Sequence, residues 1–295
     1  MRLVRYQMEG RGPRLGLLES GQIYDLEASS AGRAAGGDMR AFLSQGTRVV
    51  DEVVAAARGG RPVPEDSVSL LAPIENPGKL IAVAGGYYEH EGADRLGPDA
   101  LPLLFSKRTD DIKGPGDPIT IWRMSPGVID EIEVAIVIGT EGKNIPRERA
   151  MDHVFGYTIC NDVSGRELAV PAPGRRSKEM DGFIDWLNGK WMDGFAILGP
   201  TLVTADEAGD LGDVRIVSRI SGDVRVDGST KNVNYAWDEL IAFTSRLMTL
   251  RPGDIITTGM PHGIGEEVML KPGDTVEGEI ERLGVLRNPV VAEAY

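Results

Sequence analysis

Two glutamates one residue apart, Glu131 and Glu133, open the apolar run Ile132 to Gly139. Side chains alternate across a strand, so these carboxylates share one face about 6.6 Å apart, while Ile132, Val134, Ile136 and Ile138 take the other. Converging carboxylates are the donor set that hard divalent cations prefer, and a bound cation offsets their mutual repulsion. The same alternation also fits the solvated face of an amphipathic strand. A second strand-like run, Tyr157 to Asn161, ends in Asp162. That position suits a third carboxylate of one site, and equally a turn residue or a helix N-cap ahead of Ser164 and Gly165. Cys160 lies on the Asp162 face, although a lone cysteine is more often a small buried residue than a ligand.

The histidines are His90, His153 and His262. A lone loop histidine is usually polar surface, but His90 falls in a long irregular stretch from which a general acid or base can be brought over a substrate. The chain has no Gly-x-Ser-x-Gly elbow and no Gly-rich phosphate loop followed by Lys-Ser or Lys-Thr. Serine-hydrolase and P-loop chemistry are thereby excluded.

The elements that must position these groups are mostly strands. Of 295 residues, 38 are Gly and 18 are Pro, which implies many turns. Residues 2 to 8, 14 to 18 and 23 to 26 form an expected antiparallel meander, followed by two short helices between Asp38 and Ala57 with a break near Gly46. Gly59-Gly60-Arg61-Pro62-Val63-Pro64 breaks regular structure, so a small N-terminal domain is expected at 1–65 and a larger one at 66–295. Further strands are expected at Lys79–Ala84, Pro118–Trp122, Glu131–Gly139, Gly156–Asn161, Ala196–Val203, Val214–Ile220, Asp254–Thr258 and Thr275–Ile280. A helix is expected over Trp237–Leu250, and residues 85 to 111 read as a loop or lid. Pro115-Gly116-Asp117, Pro252-Gly253-Asp254 and Pro272-Gly273-Asp274 each read as a type II turn leading into a strand. The fold class is α+β, mostly β.

Composition limits the partners. Forty-five acidic against 32 basic residues give a formal net charge of −13, which argues against a nucleic-acid binder. Apolar runs such as Val134 to Ile138 are far shorter than the roughly 18 to 20 residues of a membrane span. The first residues alternate charged and apolar types where a signal peptide has a continuous apolar stretch, and the expected location is cytoplasmic. The single Cys160 cannot form an internal disulfide.

Taken in order, several segments resemble the fumarylacetoacetate hydrolase family. They are Gly86-Tyr87 through His90, Phe105-Ser106-Lys107, Gly114 to Asp117, Glu131-x-Glu133 with its apolar run, Gly156-Tyr157 through Arg166, Gly189-Lys190 through Asp193, Leu198-Gly199-Pro200, and Pro252 through Gly265. They span about residues 79 to 288. The resemblance implies a mixed β-roll catalytic domain, usually dimeric, that binds Mg²⁺ or Mn²⁺ and acts on β-dicarbonyl or 2-oxo acid compounds. By similarity Glu131, Glu133 and Asp162 match metal ligands, Lys190 a lysine contacting the substrate, and His90 the catalytic histidine of a lid. Tyr87, Arg166 and Met260 fall at substrate-binding positions.

The departures are specific. The glutamate that family hydrolases often carry three residues after the lid histidine is Ala93 here, with Glu91 or Asp94 as its substitutes; Asp94 has the i+4 spacing that faces His90 on a helix. Met260 stands where the family has Thr, and Ala169 where Gln is frequent. Both losses imply a substrate with a less polar tail or a different carboxylate anchor. Hydrolytic C–C cleavage of an acylpyruvate-like compound is the leading expectation, with decarboxylation or enol–keto isomerisation or dehydration next. A non-enzymatic binding protein of the same fold comes third.

Overall fold

In the computed structural model, the strand Ile132–Ile138 is buried along its whole length. A strand covered on both faces must feed two cores, and its alternation does so. Ile132, Val134, Ile136 and Ile138 join Ile159, Ile216, Val276 and Leu286. Ala135 and Val137 join Leu3, Phe42, Val50 and Leu198. The structure describes residues 1–88, 100–169, 178–264 and 267–294.

One long sheet passes through that strand. Its order is Val63–Pro64, Gln22–Asp25, Arg14–Glu19, Arg2–Gln7, Ala196–Thr204, Val154–Asn161, Ile132–Ile138, Ile255–Thr257, Leu80–Ala84 and Leu103–Ser106. A five-stranded sheet of Asp223–Ser229, Arg215–Ile220, Thr275–Ile280, Gly284–Ala292 and Ile119–Ile121 packs across it. The mostly-β α+β fold class is thus observed. The N-terminal meander joins the sheet through Arg2–Gln7, which pairs antiparallel with Ala196–Thr204. We propose that the division near 59–64 separates a helix-bearing N-terminal unit from the roll, with sheet pairing carried across it. None of the described helices is long and apolar enough to cross a membrane.

The expected helices appear as Met39–Leu43 and Thr47–Ala57, parted at Gly46 with φ of 88°, and as Trp237–Leu247. Several elements differ from expectation, among them the strand Gly284–Ala292 and three that border the site. The stretch read as a loop from 85 to 111 contains the strand Leu103–Ser106, which pairs with Leu80–Ala84 and buries Phe105. Lys178–Gly189 is a helix; Gly182 in its interior and its many polar residues hid it, although Phe183, Trp186 and Leu187 have helical spacing. Asp223–Ser229 is a strand paired with Arg215–Ile220 around Ser221 and Gly222, both at positive φ. Its polar edge weakened the strand signal.

The three Pro-Gly-Asp turns share one construction. Gly116, Gly253 and Gly273 lie at φ of 81°, 81° and 95°. Each Asp carboxylate accepts the N–H of the residue before the Pro: Gly114 at 2.7 Å, Arg251 at 2.8 Å and Lys271 at 2.8 Å. Asp254 is the buried member, and its Oδ2 also accepts from Lys79 Nζ at 2.7 Å, tying the turn to the start of Leu80–Ala84. Asp254→Ala strands both donors and is expected to cost about 3 kcal/mol in urea unfolding. Asp274→Ala, in an exposed turn, is expected to cost about 1 kcal/mol; equal costs at the two sites contradict this account of the turn.

Candidate active site

The end of one strand pair builds the acidic centre. Ile132 faces Asn161 and Glu133 faces Cys160 across the antiparallel ladder. One step further, Asp162 N–H donates to the Glu131 carbonyl at 2.8 Å, and Glu131 N–H donates to Asn161 Oδ1 at 3.0 Å. Glu131 and Asp162 are therefore cross-strand neighbours, and Glu133 follows one pleat along on the same face. One carboxylate oxygen from each of the three lies within 4.8 Å of the others. The solvated-face reading of the glutamates does not hold: Glu133 and Asp162 are each 1% exposed.

Such a cluster needs positive charge. Lys190 follows directly on the helix Lys178–Gly189, and its Nζ donates to Glu131 Oε2 at 2.8 Å and to Asp162 Oδ2 at 2.9 Å. The helix can deliver it because Gly189 packs on Gly165 of the strand Ser164–Glu167; a Cβ at Gly189 would stand 2.0 Å from the Gly165 carbonyl oxygen. Phe105 lies under the ammonium, 5.1 Å from Nζ to the ring centroid, and is braced edge-on by Trp186. Lys107 Nζ lies 2.7 Å from Asp162 Oδ1, while its aligned hydrogen bond goes to the Val163 carbonyl at 2.9 Å. Asp162 Oδ1 thus has a charge partner but no aligned donor.

Burial dominates the electrostatics. It raises the pKa of Glu131, against the opposing pull of Lys190. Burial, then Asp162, then Glu131 push Glu133 up to about 8, although Glu133 Oε2 accepts the Gly259 N–H at 2.8 Å. Burial works against the Lys190 ammonium, but Asp162 and Glu131 overcome it and hold Lys190 above the ordinary lysine value. Burial lowers Lys107 despite Asp162. With Arg166 and its partner Glu267 counted, four carboxylates face three cations, which leaves the centre one positive charge short.

Beside it opens a cavity of about 440 Å³ whose wall includes Glu131, Glu133, Lys190, Arg166, Tyr87 and Met260. Arg166 forks onto Glu267, with Nε 3.0 Å from Oε2, and its Nη1 lies 4.0 Å from Glu131 Oε1. Tyr87 is buried, its hydroxyl has no aligned partner, and burial raises its pKa. Six of the nine residues expected at the site therefore line one space, and a seventh, Asp162, adjoins it through Lys190 and the carboxylate trio. His90 and Asp94, with Glu91 and Ala93, lie outside the described residues. Cys160 is buried in the N-terminal core and is not among the clustered ligands, and burial pushes its thiol pKa up.

Sequence reading left Lys107, Arg225, His262 and Glu267 without a role, yet all but Lys107 line the cavity and Lys107 adjoins Asp162. Lys107 and His262 fell inside the family-like segments Phe105-Ser106-Lys107 and Pro252 through Gly265, without a role assigned to either. The others come from loops and hairpins whose docking is a matter of tertiary structure.

The sequence model described as "Fumarylacetoacetate (FAA) hydrolase C-terminal" matches residues 79–291. The oxaloacetate tautomerase of Xenopus laevis is 38% identical over 299 residues, covering 99% of this chain and 90% of the relative. Among solved structures, fumarylacetoacetate hydrolase from Exiguobacterium antarcticum has a TM-score of 0.83 at 32% identity, covering 99% of this chain and all of the other. Maleylpyruvate hydrolase from Sphingobium sp. SYK-6, in complex with manganese(II) and pyruvate, has a TM-score of 0.80 at 28% identity, covering 100% of both chains. The expected cytoplasmic location is corrected by the curated relatives: the Xenopus protein and its bovine and human counterparts are mitochondrial. The motifs, the strand-end carboxylates and the full-length match to these relatives agree: the chain belongs to the fumarylacetoacetate hydrolase family.

Proposed function

We propose that this chain is a divalent-metal-dependent enol–keto isomerase of a 2-oxo acid. The observation that carries the reading is the buried trio Glu131, Glu133 and Asp162 beside a cavity, with Lys190 on its wall. The donor set fits Mg²⁺ or Mn²⁺: all ligands are hard oxygens, and Asp162 Oδ1 lacks an aligned donor. A bound cation supplies Lewis-acid polarisation of the 2-oxo acid oxygens.

The chain supplies the rest. Lys190 is fixed by two carboxylates and braced by Phe105, so its charge is already in place for an oxygen that turns negative as a proton leaves the neighbouring carbon. Tyr87, whose hydroxyl lies near Thr258 without an aligned bond, can donate to the same oxygen or to the substrate carboxylate. The apolar side chains of Val83, Phe105, Ile129 and Ile220 on the wall lower the local dielectric, which strengthens these contacts. His90 is assigned the transfer of the carbon-bound proton, on the family resemblance. Isomerisation needs no activated water, which agrees with Ala93 at the position of the hydrolases' glutamate and with the tautomerase relative.

Hydrolytic C–C cleavage is the second reading, supported by the likeness to two solved hydrolases. If Asp94 replaces the missing glutamate, Asp94→Asn reduces cleavage and leaves isomerisation nearly unchanged. A homodimer is part of the same proposal, and light scattering that finds a monomer at micromolar concentration removes it.

Saturating Mg²⁺ or Mn²⁺ is expected to raise the melting temperature by about 5 °C, the scale of a ligand present at about 100 times its Kd. Glu131→Gln and Asp162→Asn should abolish the shift; an equal shift in both variants places the cation elsewhere. Followed by the ultraviolet absorbance of the enol of a 2-oxo acid, wild type should accelerate ketonisation without releasing cleavage products. His90→Ala is expected to lower kcat by about 10²-fold or more with the cation-induced melting shift unchanged. Cleavage products appearing as fast as the enol decays favour hydrolysis instead.

A further inference from the structure

The edge strand Leu103–Ser106 delivers a charge that the mechanism above does not use. Phe105 and Lys107 share one face and are both buried, while Ser106 between them is exposed. The Lys107 N–H donates to the Leu80 carbonyl at 2.9 Å, which fixes its backbone beside Leu80–Ala84. From there its Nζ lies 2.7 Å from Asp162 Oδ1 and donates to the Val163 carbonyl at 2.9 Å. Because a backbone carbonyl holds it, the ammonium stays beside Asp162 as a fixed charge.

The two lysines of the centre have different surroundings. Lys190 stands on the cavity wall, where a substrate can meet it. Lys107 is 4% exposed and is not among the residues lining that cavity, and the space it shares with Lys190, Met192 and Phe195 has no room for a water molecule. Asp162 lies between them, with Oδ2 toward Lys190 and Oδ1 toward Lys107. Among the described residues, Asp162 is the one acidic group within ion-pair distance of Lys107. A charge that no ligand can touch acts only through the field it sets at the trio. With Lys107 the centre is one positive charge short, and without it two short. Adding a divalent cation therefore takes the centre past neutrality to one net positive charge, which an anionic ligand offsets.

We propose that Lys107 is a positioning residue that stands in for part of the cation's charge. It holds the empty trio together, weakens cation binding so that the metal exchanges, and leaves the loaded centre positive for an anionic 2-oxo acid. This deepens the reading above and rests on both its metal and its 2-oxo acid parts.

Lys107→Met keeps the aliphatic stem and removes the charge. Without cation this variant should melt about 5 °C or more below wild type, the effect of breaking a buried ion pair. Saturating Mg²⁺ should restore most of that loss. Melting temperature followed against Mg²⁺ concentration, which serves even where the cation-free variant is unfolded, should show Mg²⁺ bound about 10- to 100-fold more tightly than by wild type, the scale of removing one neighbouring like charge. Calorimetry with oxalate should show the Mg²⁺-loaded variant binding this anion more weakly by a similar factor. Lost packing alone does not shift cation and anion affinity in opposite directions. A variant that melts low by the same amount with and without Mg²⁺, that stays unfolded in saturating Mg²⁺, or whose affinity for either ligand is unchanged overturns the proposal while leaving the metal reading intact. Wild type that binds no Mg²⁺ overturns the metal reading, wild type that binds Mg²⁺ but not oxalate overturns the 2-oxo acid reading, and the proposal falls with either.

Discussion

Three carboxylates buried at the ends of two adjacent strands are the constraint around which this protein is organised. Burial first, and their mutual repulsion second, favour the protonated carboxyls and raise the pKa of Glu133. Every neighbouring element answers that problem. The helix ending at Gly189 brings Lys190 between two of them, the edge strand Leu103–Ser106 brings Phe105 and then Lys107, and the loop after Thr257 gives Glu133 a backbone N–H. The remaining deficit of positive charge supports the proposed cation at this centre over a structural ion-pair network.

Rigidity at that centre comes from the double burial of Ile132–Ile138. Because its alternate residues are locked into two different cores, a one-residue slip would exchange isoleucines for the alanine, the valine and the glutamates that share the other face. The register that sets Glu133 opposite Cys160 is therefore fixed by packing, and the carboxylates inherit their separation from it. The buried Asp254 turn delivers the next strand, and with it the loop that reaches from Glu133 to Arg225.

Much of the acidic centre was legible in the chain. The Glu-x-Glu alternation and an Asp at a strand end are period-two signals, and pairing the two strands brings them together. The Pro-Gly-Asp turns were equally readable, because Pro and Gly constrain the backbone locally. The helix Lys178–Gly189 was not, since its polar residues and internal glycine give weak local preference and its stability comes from packing on Ser164–Glu167. Nor were Arg225 and His262, which are ordinary polar residues until the hairpin and loop dock. Local rules found the carboxylate trio; the cavity residues supplied by the hairpin and the loop depended on contacts far apart in sequence.

The account stands on one cation held by Glu131, Glu133 and Asp162. Crystals grown with Mn²⁺ and measured at the manganese absorption edge test it most directly. The account predicts a single anomalous peak between the three carboxylates, with one oxygen from each as ligand and Lys190 turned toward the cavity. A peak coordinated by other residues, or none at this position in crystals soaked with millimolar Mn²⁺, would contradict it.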